Sequence, residues 1–264
     1  MTDGGQQTIA DRRRRTRAHY DAYPFRFDQR EVMAEKMEKR VMGAAIKAIA
    51  PGAVVLDVGA GACRVAHMVR AAGKGRAISI DLSRATLQGA AAHNPDPKIN
   101  ADNMHLPIRT GVADLVISNG VIMVTPDARA SFMELARVTK PGGTLVVSVY
   151  DRRSWYYPMY RYGGALVRGL RTVVGDIGLK ILLFPFFHAG ILGLMAVVRR
   201  RPFWIPLDVG WNLFHDQFTT PHCTFHTAEE IAGWAAQAGL VCEEQRREAA
   251  NQLITFRLRR PARA

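Results

Sequence analysis

The stretch Val54-Val55-Leu56-Asp57-Val58-Gly59-Ala60-Gly61-Ala62-Cys63-Arg64-Val65-Ala66 decides how this chain folds. Its apolar run predicts a buried parallel strand, its glycines a turn, and the residues beyond them the start of a helix. Without a β-carbon, Gly59 and Gly61 let the backbone turn sharply and let a ligand lie against it. The helix that follows presents unpaired N–H groups and the positive end of its dipole. A carboxylate or a hydroxylated ribose suits such a place. The dinucleotide fingerprint G-x-G-x-x-G is incomplete, because Arg64 holds its sixth position, and an acidic residue, Asp57, stands two residues before the first glycine.

Downstream of the loop, Val65, Met68, Val69 and Ala72 mark a helix closed by Gly73, and Ala77-Ile78-Ser79-Ile80-Asp81 is a second strand ending in a carboxylate. In a βαβ unit an acidic residue there, about 20 residues past the glycines, is aimed at ribose hydroxyls. Ser83 is available to cap the next helix. Residues 98–107 predict a third short strand running into a loop, and 113–122 a fourth strand that leaves at Asn119. An amphipathic helix is expected over 127–138, a turn at Pro141-Gly142-Gly143, and a β-branched fifth strand over 144–149.

D-x-G-x-G after an apolar strand resembles motif I of the class I S-adenosylmethionine-dependent methyltransferases, with Cys63 where that family usually has a third glycine. The likeness continues over about 54–150. It implies an α/β fold: a doubly wound seven-stranded Rossmann-like sheet with an inserted helical lid before the last two strands. It also implies S-adenosylmethionine as cofactor, with Asp57, Gly59, Ala60 and Gly61 in the cofactor loop and Asp81 and Leu82 at the ribose. Asp102, Asn103 and Met104 match the adenine-recognition segment, and Asn119 and Gly120 close a segment similar to motif IV. The Asn-Pro-Pro-Tyr signature of exocyclic-amine methylation is absent. Many small-molecule methyltransferases fold an N-terminal aromatic segment over the cofactor, a place that Tyr20 takes here.

The expected organisation is a basic and aromatic arm over 1–30, a cofactor-binding core over 31–151, an apolar insertion over 152–210 and a completion of the core sheet over 211–264. In the arm, 19–25 reads as aromatic and turn-like, and Glu31 to Ala50 as a helix ended by Pro51-Gly52. In the insertion, Trp155, Tyr156, Tyr157, Phe184, Phe186 and Phe187 are candidate pocket walls. Ile181 to Val198 carries no charged side chain other than the titratable His188, but Pro185, Gly190 and Gly193 interrupt it, so a lid is expected in preference to a membrane span. Further on, Thr227-Ala228-Glu229-Glu230 is a capping box, and 240–244 and 253–258 are the final strands.

The reaction implied is in-line methyl transfer to a small, at least partly apolar acceptor, driven largely by positioning. Where a hydroxyl must lose its proton, His19, His215, Asp216 and His226 are the candidate bases. The alternatives are an RNA-binding methyltransferase and a catalytically idle S-adenosylmethionine-binding protein. The net charge of +13 admits nucleic acid or anionic lipid as partners, although 29 of the 36 basic residues are arginine, a bias that codon composition also produces. No recognisable RNA-binding motif accompanies that charge, so peripheral contact with an anionic membrane is the expected use. The three cysteines are too few and scattered for a disulfide framework or a zinc site. No apolar run follows the arginine arm, so a cytoplasmic location is expected.

Overall fold

The computed structural model describes residues 8–24, 40–200 and 204–262. The chain divides into two compact units, Met1–Trp155 with Pro221–Ala264, and Tyr156–Thr220. The first unit begins with α1 (Ile9–Ala22) and α2 (Val41–Ala48). It continues through β1 (Val55–Val58), α3 (Arg64–Ala71), β2 (Ala77–Asp81), α4 (Arg84–Ala91), β3 (Lys98–Asn100) and β4 (Ala113–Asn119). Then come α5 (Ala128–Val138) and β5 (Thr139–Tyr150). The second unit holds α6 (Ala165–Leu182), α7 (Phe184–Arg199) and α8 (Leu207–Phe218). The chain returns to the first unit for α9 (Ala228–Gln237), β6 (Val241–Glu248) and β7 (Leu253–Arg259).

The seven strands form one sheet in the order β3-β2-β1-β4-β5-β7-β6. The first five strands pair in parallel, while β7 runs antiparallel to both β5 and β6. Strand alternation separates two apolar layers. Leu56 and Val58 join Phe132, Leu135 and Ile231 on one face, and Val55 joins Leu115, Val69 and Ile46 on the other. Each fully buried large apolar side chain contributes roughly 1.5–3 kcal/mol. Parallel strands covered on both faces need the continuous apolar runs that β1 and β4 supply.

Two local expectations are corrected. Residues 19–22 are helical, not turn-like, because α1 extends through them: Thr8 accepts from the Asp11 N–H, Asp11 sits in the first turn, and the Tyr23 N–H bonds the His19 carbonyl. The fifth strand starts at Thr139, five residues earlier than expected, because Thr139 already pairs with Ala113; the Pro141-Gly142-Gly143 turn then interrupts the register, with Gly142 at φ 74°, before regular pairing resumes at Thr144. The first part of the helix expected over 31–50 lies outside the described residues.

The second unit has its own core of Val167, Leu179, Phe184 and Phe214, with Trp211, Phe187 and Phe218 packed against it. Trp211 and Phe214 stack with centroids 5.4 Å apart. That packing places α8 in this unit, so the unit extends to Thr220. Arg152 to Trp155 belong to the first unit, where the Arg152 N–H bonds the His226 carbonyl and Trp155 Nε1 bonds the Ala250 carbonyl at 2.9 Å. Pro185 does not break α7, because it occupies the first turn, where its missing N–H has no partner to lose.

Candidate functional site

The first unit contains an open cleft at the carboxyl ends of β1, β2 and β4. Ligands of doubly wound sheets sit there, because adjacent strands send their helices to opposite faces and leave a crevice. The loop after β1 turns with φ near +79° at Gly59 and +50° at Gly61, the left-handed region that glycine tolerates. A β-carbon on Gly59 would also overlap the Val121 side chain. Cys63 adopts φ 54° and ψ 40° as the residue before α3, so it keeps the backbone of a glycine position while burying a side chain. Burial pushes its thiol pKa up, which leaves it inert as a nucleophile.

Asp81 ties this loop to β2. One carboxylate oxygen accepts the Gly61 N–H at 2.9 Å and the other the Ser83 N–H at 2.8 Å. Burial pushes its pKa up, opposed by those backbone donors. Each oxygen has a second lone pair, so the carboxylate can still accept ligand hydroxyls. Ser83 caps α4 through the Thr86 N–H and bonds the Asp21 carboxylate at 2.6 Å. On the far side, Asp102 accepts the Met104 N–H at 2.9 Å and pairs with Arg13 of α1 at 3.2 Å.

Asp57 points from β1 into the buried layer, with one carboxylate oxygen lacking a hydrogen-bond partner. Its pKa is pushed up to about 8, first by burial and then by the Asp81 charge, with Arg64 opposing. The Asn103 and Asn119 side-chain oxygens are likewise buried without partners.

The cleft gathers most of the residues expected at a cofactor. Tyr20, Gly59 and Gly61 line it, as do Asp81 and Leu82, Asp102 and Asn103, and Gly120. Asp57, Ala60 and Met104 are buried, and Asn119 ends β4 just before Gly120. Sequence reading missed Thr16 and Arg17 of α1, Ser83 and Thr86, and the run Val121, Val124, Thr125 and Pro126. The helical spacing of Thr16, Arg17 and Tyr20 was the one available signal for the α1 contribution.

Of the expected bases, His19 and His226 belong to the first unit and do not line its cleft. Among the described residues lining it there is no imidazole. His19 is buried on α1 with its ring against Tyr20 and Tyr23. His226 bonds Thr224 through Nε2 at 2.8 Å and Glu230 through Nδ1 at 3.3 Å, so both nitrogens serve the start of α9. Burial lowers its pKa, with Glu230 opposing. His215 and Asp216 lie on α8 in the second unit, where His215 is fully buried, its Nδ1 2.7 Å from the Thr219 hydroxyl. The Asp216 carboxylate accepts from the Gln217 side chain at 3.1 Å. The aromatic walls expected of the insertion are partly spent on its own packing. Phe184 and Phe187 join that unit's core, and the buried Tyr156 donates its hydroxyl to the Gln217 carbonyl.

The sequence family described as a methyltransferase domain matches residues 56–147, the segment that builds the cleft. The demethylmenaquinone methyltransferase of Corynebacterium urealyticum is 34% identical over 39% of this chain and 44% of its own length. The malonyl-[acyl-carrier protein] O-methyltransferase of Hahella chejuensis is 34% identical over 36% of this chain and 35% of its own. This chain therefore spans less than half the length of these curated relatives. Magnesium protoporphyrin IX methyltransferase from Synechocystis PCC 6803, solved with bound S-adenosylmethionine, shares the fold, with a TM-score of 0.58 at 13% identity over 98% of this chain and all of that one. Residues 56–147 thus match a methyltransferase domain, and the fold is that of S-adenosylmethionine-dependent methyltransferases.

The methyltransferase cofactor fits the residues present. An adenine amine needs an acceptor, and the buried Asn103 oxygen at the cleft has none of its own donors. Ribose hydroxyls need a carboxylate beside the loop, which Asp81 supplies. The amino-acid end needs acceptors and a close backbone, which the Gly59 to Gly61 turn, Asp57 and Asn119 provide.

Proposed function

We propose that this protein transfers a methyl group from S-adenosylmethionine to a small, at least partly apolar acceptor. The observation that carries the reading is the Asp81 carboxylate, fixed by two backbone N–H groups at the end of β2 and facing the same cleft as Asp102 and Asn103. When bound, the cofactor supplies a methyl group on a sulfonium, electrophilic enough to be displaced in line. The chain's part is to hold the donor through Asp81, Asp102 and Asn103, and to present an acceptor beyond Gly120. There Val121, Val124 and Pro126 supply an apolar wall.

Holding both partners in line can supply on the order of 7–11 kcal/mol of a transfer barrier. With no imidazole among the described residues lining the cleft, the reaction suits an acceptor that is already nucleophilic, such as a thiol, an amine or a stabilised oxyanion. The relatives act on unlike acceptors by their names, yet each matches only 36–39% of this chain. This supports a shared donor and an acceptor chosen by the rest of each chain. The test is transfer from methyl-labelled S-adenosylmethionine onto a panel of thiols, amines, phenols and quinols. Label on an apolar member supports the reading, whereas label confined to RNA or to highly charged acceptors contradicts it.

A further inference from the structure

A helix at a protein surface ordinarily turns charged or polar residues to water. The second unit departs from this rule along two consecutive helices. On α6, Leu166 and Val173 before the break at Gly175 (φ 66°) and Ile177 and Ile181 after it are all exposed, Ile177 to 78%. On α7, exposed positions recur as Phe186, Ala189, Gly190, Gly193, Leu194 and Val197, with no charge among them. Phe186 is 78% exposed and Val197 76%. The opposite sides of both helices already fill the unit's core through Val167, Leu179 and Phe184. The described residues of α7 are thus apolar on nearly all sides, while α6 exposes apolar residues alongside Thr172 and Lys180.

The charges on α6 are placed so as not to spoil this face. Arg171 and Asp176 neutralise each other at 2.6 Å, Arg168 lies over the Tyr160 ring and donates to the Phe218 carbonyl, and Lys180 stands over the Trp211 ring. His188 is buried. From Tyr156 to Thr220 the sequence has seven basic and three acidic residues, with Arg199-Arg200-Arg201 closing the apolar run. Tyr162 and Trp204, at 73% and 67% exposure, flank it with rings of the kind that settle at a bilayer's polar boundary. No single helix among the described residues is long and apolar enough to cross a membrane. At 16 residues, α7 reaches only about 24 Å, short of a hydrocarbon core of about 30 Å. Tyr156–Leu182 and Phe184–Leu194 reach that length and hydropathy only as a pair bent by 44°, and a boundary layer accommodates such a bend without a broken span.

We propose that α6 and α7 form a docking surface for the interface of an anionic lipid bilayer, the exposed apolar side chains entering the acyl boundary and the basic residues meeting the headgroups. This goes beyond methyl transfer and stands without it. Charge complementarity selects an anionic lipid surface: exposed apolar side chains lie beside a basic excess of seven to three across Tyr156 to Thr220.

The test is flotation of the full chain with vesicles of phosphatidylcholine and phosphatidylglycerol in equal parts, against pure phosphatidylcholine. The comparison is with the triple variant Ile177→Ser, Phe186→Ser and Leu194→Ser. These side chains are exposed, so the variant should keep the parent's circular dichroism and its affinity for S-adenosylhomocysteine. The expected result is parent protein floating with anionic vesicles, loss of at least about tenfold in partitioning for the variant, and quenching of tryptophan fluorescence by brominated lipid in the parent alone. The proposal is overturned if the parent does not float, if the folded variant floats equally well, or if the same substitutions abolish a dimer in the absence of lipid without changing flotation.

Discussion

Asp81 is where the cleft's construction and its proposed use meet, since the carboxylate that shapes the glycine loop is the one offered to the ribose. Asp81→Ala should weaken S-adenosylhomocysteine binding by roughly 1.5–3 kcal/mol, measured calorimetrically. Unchanged affinity in a folded variant would remove the ribose assignment. Asp57 makes a different prediction, about pH. Its folded pKa is raised to about 8, so between about pH 4 and pH 8 the unfolded chain gives up a proton that the folded one keeps. Its contribution is fully present below pH 4 and is lost as pH rises through 8, at up to about 1.4 kcal/mol for each pH unit. Thermal unfolding followed over that range should show a shallower decline in Asp57→Asn than in the parent; parallel curves would contradict the raised pKa. At Gly59, alanine adds both a positive-φ strain and an overlap with Val121. Gly59→Ala should cost about 1–3 kcal/mol of stability. The added substitution Val121→Ala should recover only part of it, because the backbone strain remains.

At the scale of elements, the sheet was legible where burial dictates sequence. A parallel strand covered on both faces must be a short apolar run, and β1, β2 and β4 announced themselves that way, as did the glycine turn and the acidic end of β2. The capping box at Thr227 was equally readable, and the structure shows both of its reciprocal bonds. Thr227→Ala should therefore cost about 1 kcal/mol in denaturant unfolding. A loss near zero would mean that packing of Ile231 and Ala235 alone holds α9. The arm over the cleft was not legible. Its helix, α1, is built from consecutive arginines without an apolar period, and what fixes it is tertiary: the Thr16 hydroxyl on the Val124 carbonyl and Arg13 on Asp102. The candidate bases could not be ranked from sequence for a related reason. A histidine near an element end looks the same in sequence whether it faces a cleft or, like His226, completes a helix start.

For the molecule as a whole, the sheet and cleft belong to one compact unit and the apolar helices to another, and the two carry separable claims. Substituting a glycine-serine linker for 156–220 should leave S-adenosylhomocysteine affinity within about threefold, because the described residues lining the cleft all lie in the first unit. Loss of binding in a protein that keeps its strand signal would tie the donor site to the insertion. The most direct measurement of the central claim is calorimetric titration of the full chain with S-adenosylhomocysteine, alongside an identical titration with NAD. Saturable binding at one site per chain is expected for S-adenosylhomocysteine, and no saturable heat for NAD. Saturable binding of NAD with none of S-adenosylhomocysteine would contradict it.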